Sequence, residues 1–263
     1  MMKRRLLLAG IVFTSAMWAD GAVYQYPYYT AASIVNAASY SSALAPNTIM
    51  TIFGTNLAAF SESAASNGLR NAGLPLSLGG TFVYLGGIQV GLYYASPTQV
   101  NLLVPSIMGY ATFTFVLCKE SACGPEIPIT LTPTAPAFFQ DAQNNIIAQH
   151  LDGSVISAAS PAKPGEWVVL YCDGLGRTIP DNDSYTPPGS AAPIQLIKSF
   201  SVLVDGQPVD PSAIYYAGVT PGYAGLYQVN LLLPATAGTN PEIRMSFGDS
   251  QSIPGTHLFV QHS

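Results

Sequence analysis

The 263-residue sequence predicts an all-β protein of two tandem β-sandwiches, and three observations carry that prediction. The chain repeats itself: Val35-Asn36-Ala37-Ala38-Ser39 returns as Ile156-Ser157-Ala158-Ala159-Ser160, and Pro46 to Phe53 returns as Pro164 to Tyr171. Gln99-Val100-Asn101-Leu102-Leu103-Val104-Pro105 likewise returns as Gln228-Val229-Asn230-Leu231-Leu232-Leu233-Pro234. The offset drifts from 121 to 118 to 129, as expected where strands are kept while loops gain and lose residues. Secondly, 21 Pro and 24 Gly are scattered throughout, so no window keeps an apolar 3.6-residue period long enough for a substantial helix. Thirdly, short apolar runs end in turn dipeptides and are followed by a returning run.

Taken in order, residues 1–21 read as a signal peptide. Met1-Met2-Lys3-Arg4-Arg5 is basic, and the apolar stretch Leu6 to Ala19 is shorter than the ~20 residues that span a bilayer. Ala19 and Gly21 supply small side chains for cleavage before Ala22; an uncleaved anchor is the alternative. Cleavage leaves no stable transmembrane anchor. No Cys follows Leu8-Ala9-Gly10, which argues against a lipid-modified N-terminus.

The first unit is expected over residues 31–134 and the second over 137–262. Ile49 to Phe53 and Trp167 to Tyr171 are nearly continuous apolar strands at the centre of each. Phe82 to Leu85 runs into Gly86-Gly87, and Ser201 to Val204 into Asp205-Gly206, both dipeptides suited to the positive φ of a tight hairpin. Tyr93-Tyr94 and Tyr215-Tyr216 follow, each leading through a loop to the Gln-Val-Asn strand. That loop is short in the first copy and long in the second, where Ala217 to Tyr227 is expected to be exposed. About seven strands per copy suit an immunoglobulin-like sandwich. Thr132-Pro133-Thr134-Ala135-Pro136 joins the units, its prolines restricting the angle between them.

Without Lys3, Arg4, Arg5 and Asp20, six basic and thirteen acidic residues remain, a net charge near −7 that is unsuited to gripping phosphate backbones. Nucleic acid is therefore not an expected partner. Only 9% of residues are charged, so the polar surface rests on Ser, Thr, Asn, Gln and Tyr. Cys118 and Cys123 flank Lys119-Glu120-Ser121-Ala122 and are expected to form a disulfide at a hairpin tip, the alternative being a redox or metal pair whose partners are absent nearby. Cys172 ends an apolar run and reads as a buried free thiol, with pairing between chains as the alternative.

Several of these segments resemble a known family. Val35-Asn36-Ala37-Ala38-Ser39-Tyr40, Gly54-Thr55-Asn56-Leu57, Pro161-Ala162-Lys163-Pro164-Gly165, Asp173-Gly174-Leu175-Gly176 and Gly225-Leu226-Tyr227-Gln228-Val229-Asn230 are similar to motifs of the Solibacter-type C-terminal domain family. The resemblance covers roughly residues 33–260. That family is similar in turn to TIG-type immunoglobulin-like domains. The resemblance implies a sandwich fold and an exported location, extracellular, on the cell surface or in the periplasm; it carries over no catalytic residue. Cys172 departs from it, since a small residue is more usual there.

Catalytic chemistry finds little to stand on. The histidines are His150, His257 and His262, and no Gly-x-Ser-x-Gly elbow occurs, so a triad through His150 has no local support. The glycosidase alternative needs paired carboxylates, yet Asp152, Asp205 and Asp249 sit beside glycines where aspartate caps turns. Asp181-Asn182-Asp183 resembles a fragment of a calcium loop but lacks the glycine and the distant glutamate, and reads as a solvated loop. No catalytic residue, metal ligand or cofactor is expected. Gln99 and Asn101, like Gln228 and Asn230, should share one strand face and satisfy backbone groups of the preceding loop. Tyr223 and Tyr227, flanked by Gly in the long loop, are the candidate ligand-binding residues, suited to stacking on sugar rings; closing the sandwich end is the structural alternative. The expected function is an exported, non-catalytic binding or adhesion module whose partner is a glycan or an envelope protein. A structural spacer is the second reading and a secreted hydrolase of glycans or peptides the third.

Overall fold

The computed structural model describes residues 26–64, 73–181, 186 and 188–261. The signal segment at 1–21 and the Asn182-Asp183 part of the suspected calcium loop lie outside them. The chain is all-β, as the sequence predicts. Its first half carries β1 (Ile34–Asn36), β2 (Ile49–Phe53), β3 (Glu62–Ser63), β4 (Thr81–Leu85), β5 (Ile88–Gln89), β6 (Leu92–Ala95), β7 (Gln99–Leu103), β8 (Thr112–Lys119), β9 (Ala122–Cys123) and β10 (Ile127–Thr130). The second carries β11 (Ala137–Phe138), β12 (Ala148–His150), β13 (Trp167–Asp173), β14 (Ala192–Pro193), β15 (Phe200–Val204), β16 (Gln207–Pro208), β17 (Ile214–Val219), β18 (Tyr227–Leu232), β19 (Ile243–Phe247) and β20 (Ser250–Gln251). Among the described residues, ten strands per half exceed the seven expected, because several runs of only two residues also pair.

The sheets keep the halves separate. In the first half, β1-β2-β7-β6-β3 faces β10-β8-β4-β5; in the second, β11-β13-β18-β17-β14 faces β16-β15-β19-β20, with β12 also on β13. Alternation fills the space between them. Met50, Ile52, Val83, Leu85, Val100, Leu102, Phe115 and Leu117 form one core, and Val168, Leu170, Val202, Val229, Leu231, Ile243 and Met245 the other. Both predicted hairpin dipeptides lie in the left-handed region, Gly86-Gly87 at φ 58° and 80° and Asp205-Gly206 at 50° and 75°. Cys118 and Cys123 are cross-strand partners and are joined by a disulfide. Cys172 is a free thiol buried in the second core, which leaves it no route to a partner chain.

The repeat extends to detail. Phe53 pairs with Gln99 as Tyr171 pairs with Gln228, and both β6 and β17 carry a register shift, between Leu92 and Tyr94 and between Ile214 and Tyr216. The halves are also clipped together. Asp173, fully buried at the end of β13, accepts from the amide of Ile49 in the first half (2.9 Å) and from Gly174 N (2.6 Å). The Tyr93 hydroxyl donates to the Ala224 carbonyl, and the Ala224 side chain joins the first core. Gly225, at φ +71°, lies so close that a Cβ there would stand 2.4 Å from Leu103 Cδ1. In the linker, Asn36 Nδ2 donates to Ala135 O (3.4 Å) and Ala135 N to Gly174 O (2.7 Å).

Candidate functional site

The outer face of the β11-β13-β18-β17-β14 sheet holds the site. Along β13, Val168, Leu170 and Cys172 point into the core, so Trp167, Val169 and Tyr171 point out. Opposite them on β18 stand Leu232, Asn230 and Gln228, and on the other flank Gln149 of β12 pairs with Val169. Every side chain in these rows is uncharged.

At the Tyr171 end the face deepens into a groove of about 450 Å³ lined by Phe139, Ile147, Gln149, Tyr171, Tyr223 and Leu226. Phe139 and Ile147 are held there by backbone bonds to Tyr171: Phe139 N donates to Tyr171 O, and Tyr171 N to Ile147 O (both 3.1 Å). The Tyr171 hydroxyl donates to Gln149 Oε1 at 2.7 Å, which leaves the amide NH2 to donate. Partial burial raises the Tyr171 pKa, with the nearby Tyr223 phenol adding to the shift, so the hydroxyl stays neutral. Tyr223 is 57% exposed at the groove rim. Apolar walls with one convergent amide and an aromatic lip are built to hold an uncharged ligand with both apolar and hydroxyl surfaces. A larger cleft of about 690 Å³ beside the linker is lined mainly by Ser, Thr, Pro and Ala, and gives a ligand little to grip.

Tyr227 corrects the sequence reading. Its exposure is 0%, and its hydroxyl donates to the Gly176 carbonyl inside the second half. Gln228 and Asn230 face outward, so the residue before them must face in. Burial of Ala224 and Tyr227 also shortens the expected exposed loop; Tyr223 alone of the two tyrosines reaches solvent. The amide pairs differ from expectation as well. Gln99 Nε2 donates to Asn101 Oδ1, and Gln228 Nε2 to Asn230 Oδ1, both at 2.9 Å, so each pair is tied within itself. Ser96 supplies the loop capping in the first half, its hydroxyl accepting from Gln99 N (3.0 Å).

One polar cluster was not legible in the sequence. His150 Nδ1 stands 2.5 Å from Glu166 Oε1, while Nε2 stands 3.2 Å from the Ser160 carbonyl and 3.3 Å from its hydroxyl. Ser160, His150 and Glu166 thus line up in the order of a hydrolytic triad. The hydrogen bond to Glu166 raises the histidine pKa, and Nε2 either donates to the Ser160 carbonyl or accepts from its hydroxyl, according to the tautomer. The cluster ties the Ser157–Ser160 turn to the residues before β13.

Elsewhere, Asp181 is held by Arg177, whose Nε donates at 2.8 Å. Asp152 accepts from Ser154 N (2.9 Å), the turn cap expected of it. Among the described residues no group of three or more His, Cys, Asp or Glu side chains could hold a metal ion, and no helix is long and apolar enough to cross a membrane.

No family model matches the chain, and no curated protein matches it significantly. Among solved structures, it is similar to the surface glycan-binding protein PbSGBP-B from Prevotella bryantii, at 12% identity and TM-score 0.27, over 88% of this chain and 41% of that one. It is also similar to SGBP-B of the Bacteroides ovatus mixed-linkage glucan utilization locus, solved with a mixed-linkage heptasaccharide, at 13% identity and TM-score 0.31, over 84% and 44%. The tandem Ig repeats of Dlar align at 11% identity and TM-score 0.21, over 90% and 96%. The chain spans less than half the length of the two glycan-binding proteins. Likeness at this level assigns no activity to this chain.

Proposed function

We propose that the chain is an exported, non-catalytic binding module whose second half holds a neutral glycan in the Tyr171–Tyr223 groove. The observation that carries this reading is the groove itself: aromatic and aliphatic walls, one amide, and no charged lining residue. Sugar rings offer C–H faces to such walls and hydroxyls to such an amide. Export is supported by the N-terminal segment and by the Cys118–Cys123 disulfide, a bond that persists in oxidising compartments.

Affinity electrophoresis through neutral polysaccharides, followed by calorimetry with their oligomers, tests the reading. Retardation by at least one polysaccharide, lost in Tyr223→Ala and kept in Tyr227→Phe, is expected. Absence of retardation across the panel, or release of reducing ends from a retained polysaccharide, refutes it. The spacer reading draws on the Asp173 clip, and it predicts that no polysaccharide is retained.

A further inference from the structure

The two halves use one surface patch in opposite ways. In the first half the pair Ile49 and Leu103, with Tyr93 at the register shift, is covered: Gly225 packs on Ile49 and Leu103, and Tyr93 bonds to Ala224. The repeat places Trp167, Leu232 and Tyr215 at the matching positions of the second half. There the patch is open. Tyr215 is 81% exposed, and its ring meets that of Trp167 edge-on with centroids 6.2 Å apart. Both copies carry a tyrosine at the register shift; the strand pair beside it is Ile49 with Leu103 where the patch packs against protein, and Trp167 with Leu232 where it is open.

From this we infer that the groove is one end of a longer track along β13, which takes an extended neutral oligosaccharide. The inference rests on the glycan reading and specifies the ligand's length and charge. Trp167 lies four residues from Tyr171 on the same strand face, roughly 13 Å away at the rise of a strand, further than one sugar ring reaches. Between the two aromatic stations lies Val169, flanked by Asn230 and Gln149, while Gln228 stands opposite Tyr171 and reaches along the strand to Asn230. Since Gln228 donates to Asn230, the pair presents one amide oxygen and one amide NH2, a donor and an acceptor for hydroxyls midway along the track. Gly218 makes room for the Tyr216 hydroxyl, which a Cβ there would meet at 2.5 Å and which donates to Val219 O (2.7 Å). Aromatic ends, an amide middle and no charge match a chain of neutral sugars. An acidic polysaccharide finds no counter-charge on these rows.

Calorimetry with gluco-, xylo- and manno-oligosaccharides of two and six residues tests this on the full chain. In the series that binds, the hexasaccharide is expected to bind about tenfold tighter than the disaccharide, the worth of one further stacked aromatic station. Trp167→Ala and Tyr215→Ala should remove that advantage while leaving disaccharide affinity intact, and Trp167→Phe should restore most of it. Residues 22–263 contain Trp167 as their single tryptophan, so its emission should shift with hexasaccharide and stay constant with disaccharide. Equal affinities for both lengths, or an unchanged hexasaccharide affinity in Trp167→Ala, overturns the track while the Tyr223→Ala loss still supports the groove. No binding by any series overturns both. A self-association in sedimentation velocity that Tyr215→Ala abolishes, with hexasaccharide affinity unchanged, assigns the patch to a protein partner and also overturns the track.

Discussion

Asp173→Ala tests how the halves are joined. The carboxylate is fully buried and serves two backbone amides, Ile49 N from the other half and Gly174 N from its own turn. Truncation strands both. A buried N–H without a partner costs about 1–3 kcal/mol, and some of that is offset by removing a carboxylate that is costly to ionise, so a net loss of about 2–4 kcal/mol is expected. For a chain of this size that lowers the melting temperature by roughly 5–15 °C. Because the lost bond spans the halves, the calorimetric transition should also broaden or split.

The same residue fixes a sign with pH. Burial raises the Asp173 pKa well above the usual carboxylate range, outweighing its two amide bonds. The folded state therefore holds this proton more tightly than the unfolded chain. Its stabilising contribution is full below the unfolded pKa near ~4 and is lost as pH rises through the folded value. His150, raised by its bond to Glu166, acts in the same direction around its own higher range. Asp141, Asp152 and Asp210, lowered by bonds to Asn145, Ser154 and Ser212, contribute oppositely, but their contribution is lost only as pH falls below ~4. Melting temperatures at about pH 5 and about pH 7.5 should thus fall with rising pH in the wild type, and less steeply in Asp173→Asn. Glu166→Gln separates the histidine's share. A melting temperature of Asp173→Ala within a degree or so of wild type, or an unchanged pH slope in Asp173→Asn, refutes the clip.

Further outcomes follow from the same geometry. Tyr227→Phe leaves the Gly176 carbonyl without its buried donor and should cost about 1–2 kcal/mol in chemical denaturation, with ligand affinity unchanged. Replacing Cys118 and Cys123 together by Ser opens a short loop and should cost about 2 kcal/mol, checked by melting with and without reductant. Gly225→Ala puts a methyl group against Leu103 at a positive φ; it should destabilise by more than 1 kcal/mol or so and weaken glycan binding, read by calorimetry on the folded variant. Ser160→Ala should leave binding unchanged.

Local order was legible in the sequence, and contacts between the halves were not. The turn dipeptides, the stapled hairpin and the duplicated strands are each fixed by neighbours in the chain; the matching pairs Phe53 with Gln99 and Tyr171 with Gln228 appear only in the structure. Tyr227 was legible and misread: the period of two that turns Gln228 outward turns Tyr227 inward. Asp173 offered no such signal. It resembles a turn aspartate before Gly174, and its burial arises from Ile49, 124 residues away. The His150–Glu166–Ser160 cluster is assembled by a turn whose side-chain directions no spacing rule predicts.

The segment from Thr220 to Tyr227 joins architecture to binding. Its middle, Ala224-Gly225, docks on the first half, while Tyr223 and Leu226 on either side line the groove of the second. Docking therefore fixes the backbone from which both groove residues project, so that less of their freedom remains to be lost when a ligand arrives. The first copy's counterpart, Ala95-Ser96-Pro97-Thr98, is too short to do this, and Ser96 caps it onto Gln99. The two halves are similar sandwiches with matching strand register. The longer loop of the second half sits on the first, covering Ile49, Leu103 and Tyr93 and leaving their counterparts Trp167, Leu232 and Tyr215 open. In the proposed reading the asymmetry of the site therefore comes from the interface between two similar halves, since the loop that docks on the first half also carries Tyr223 and Leu226.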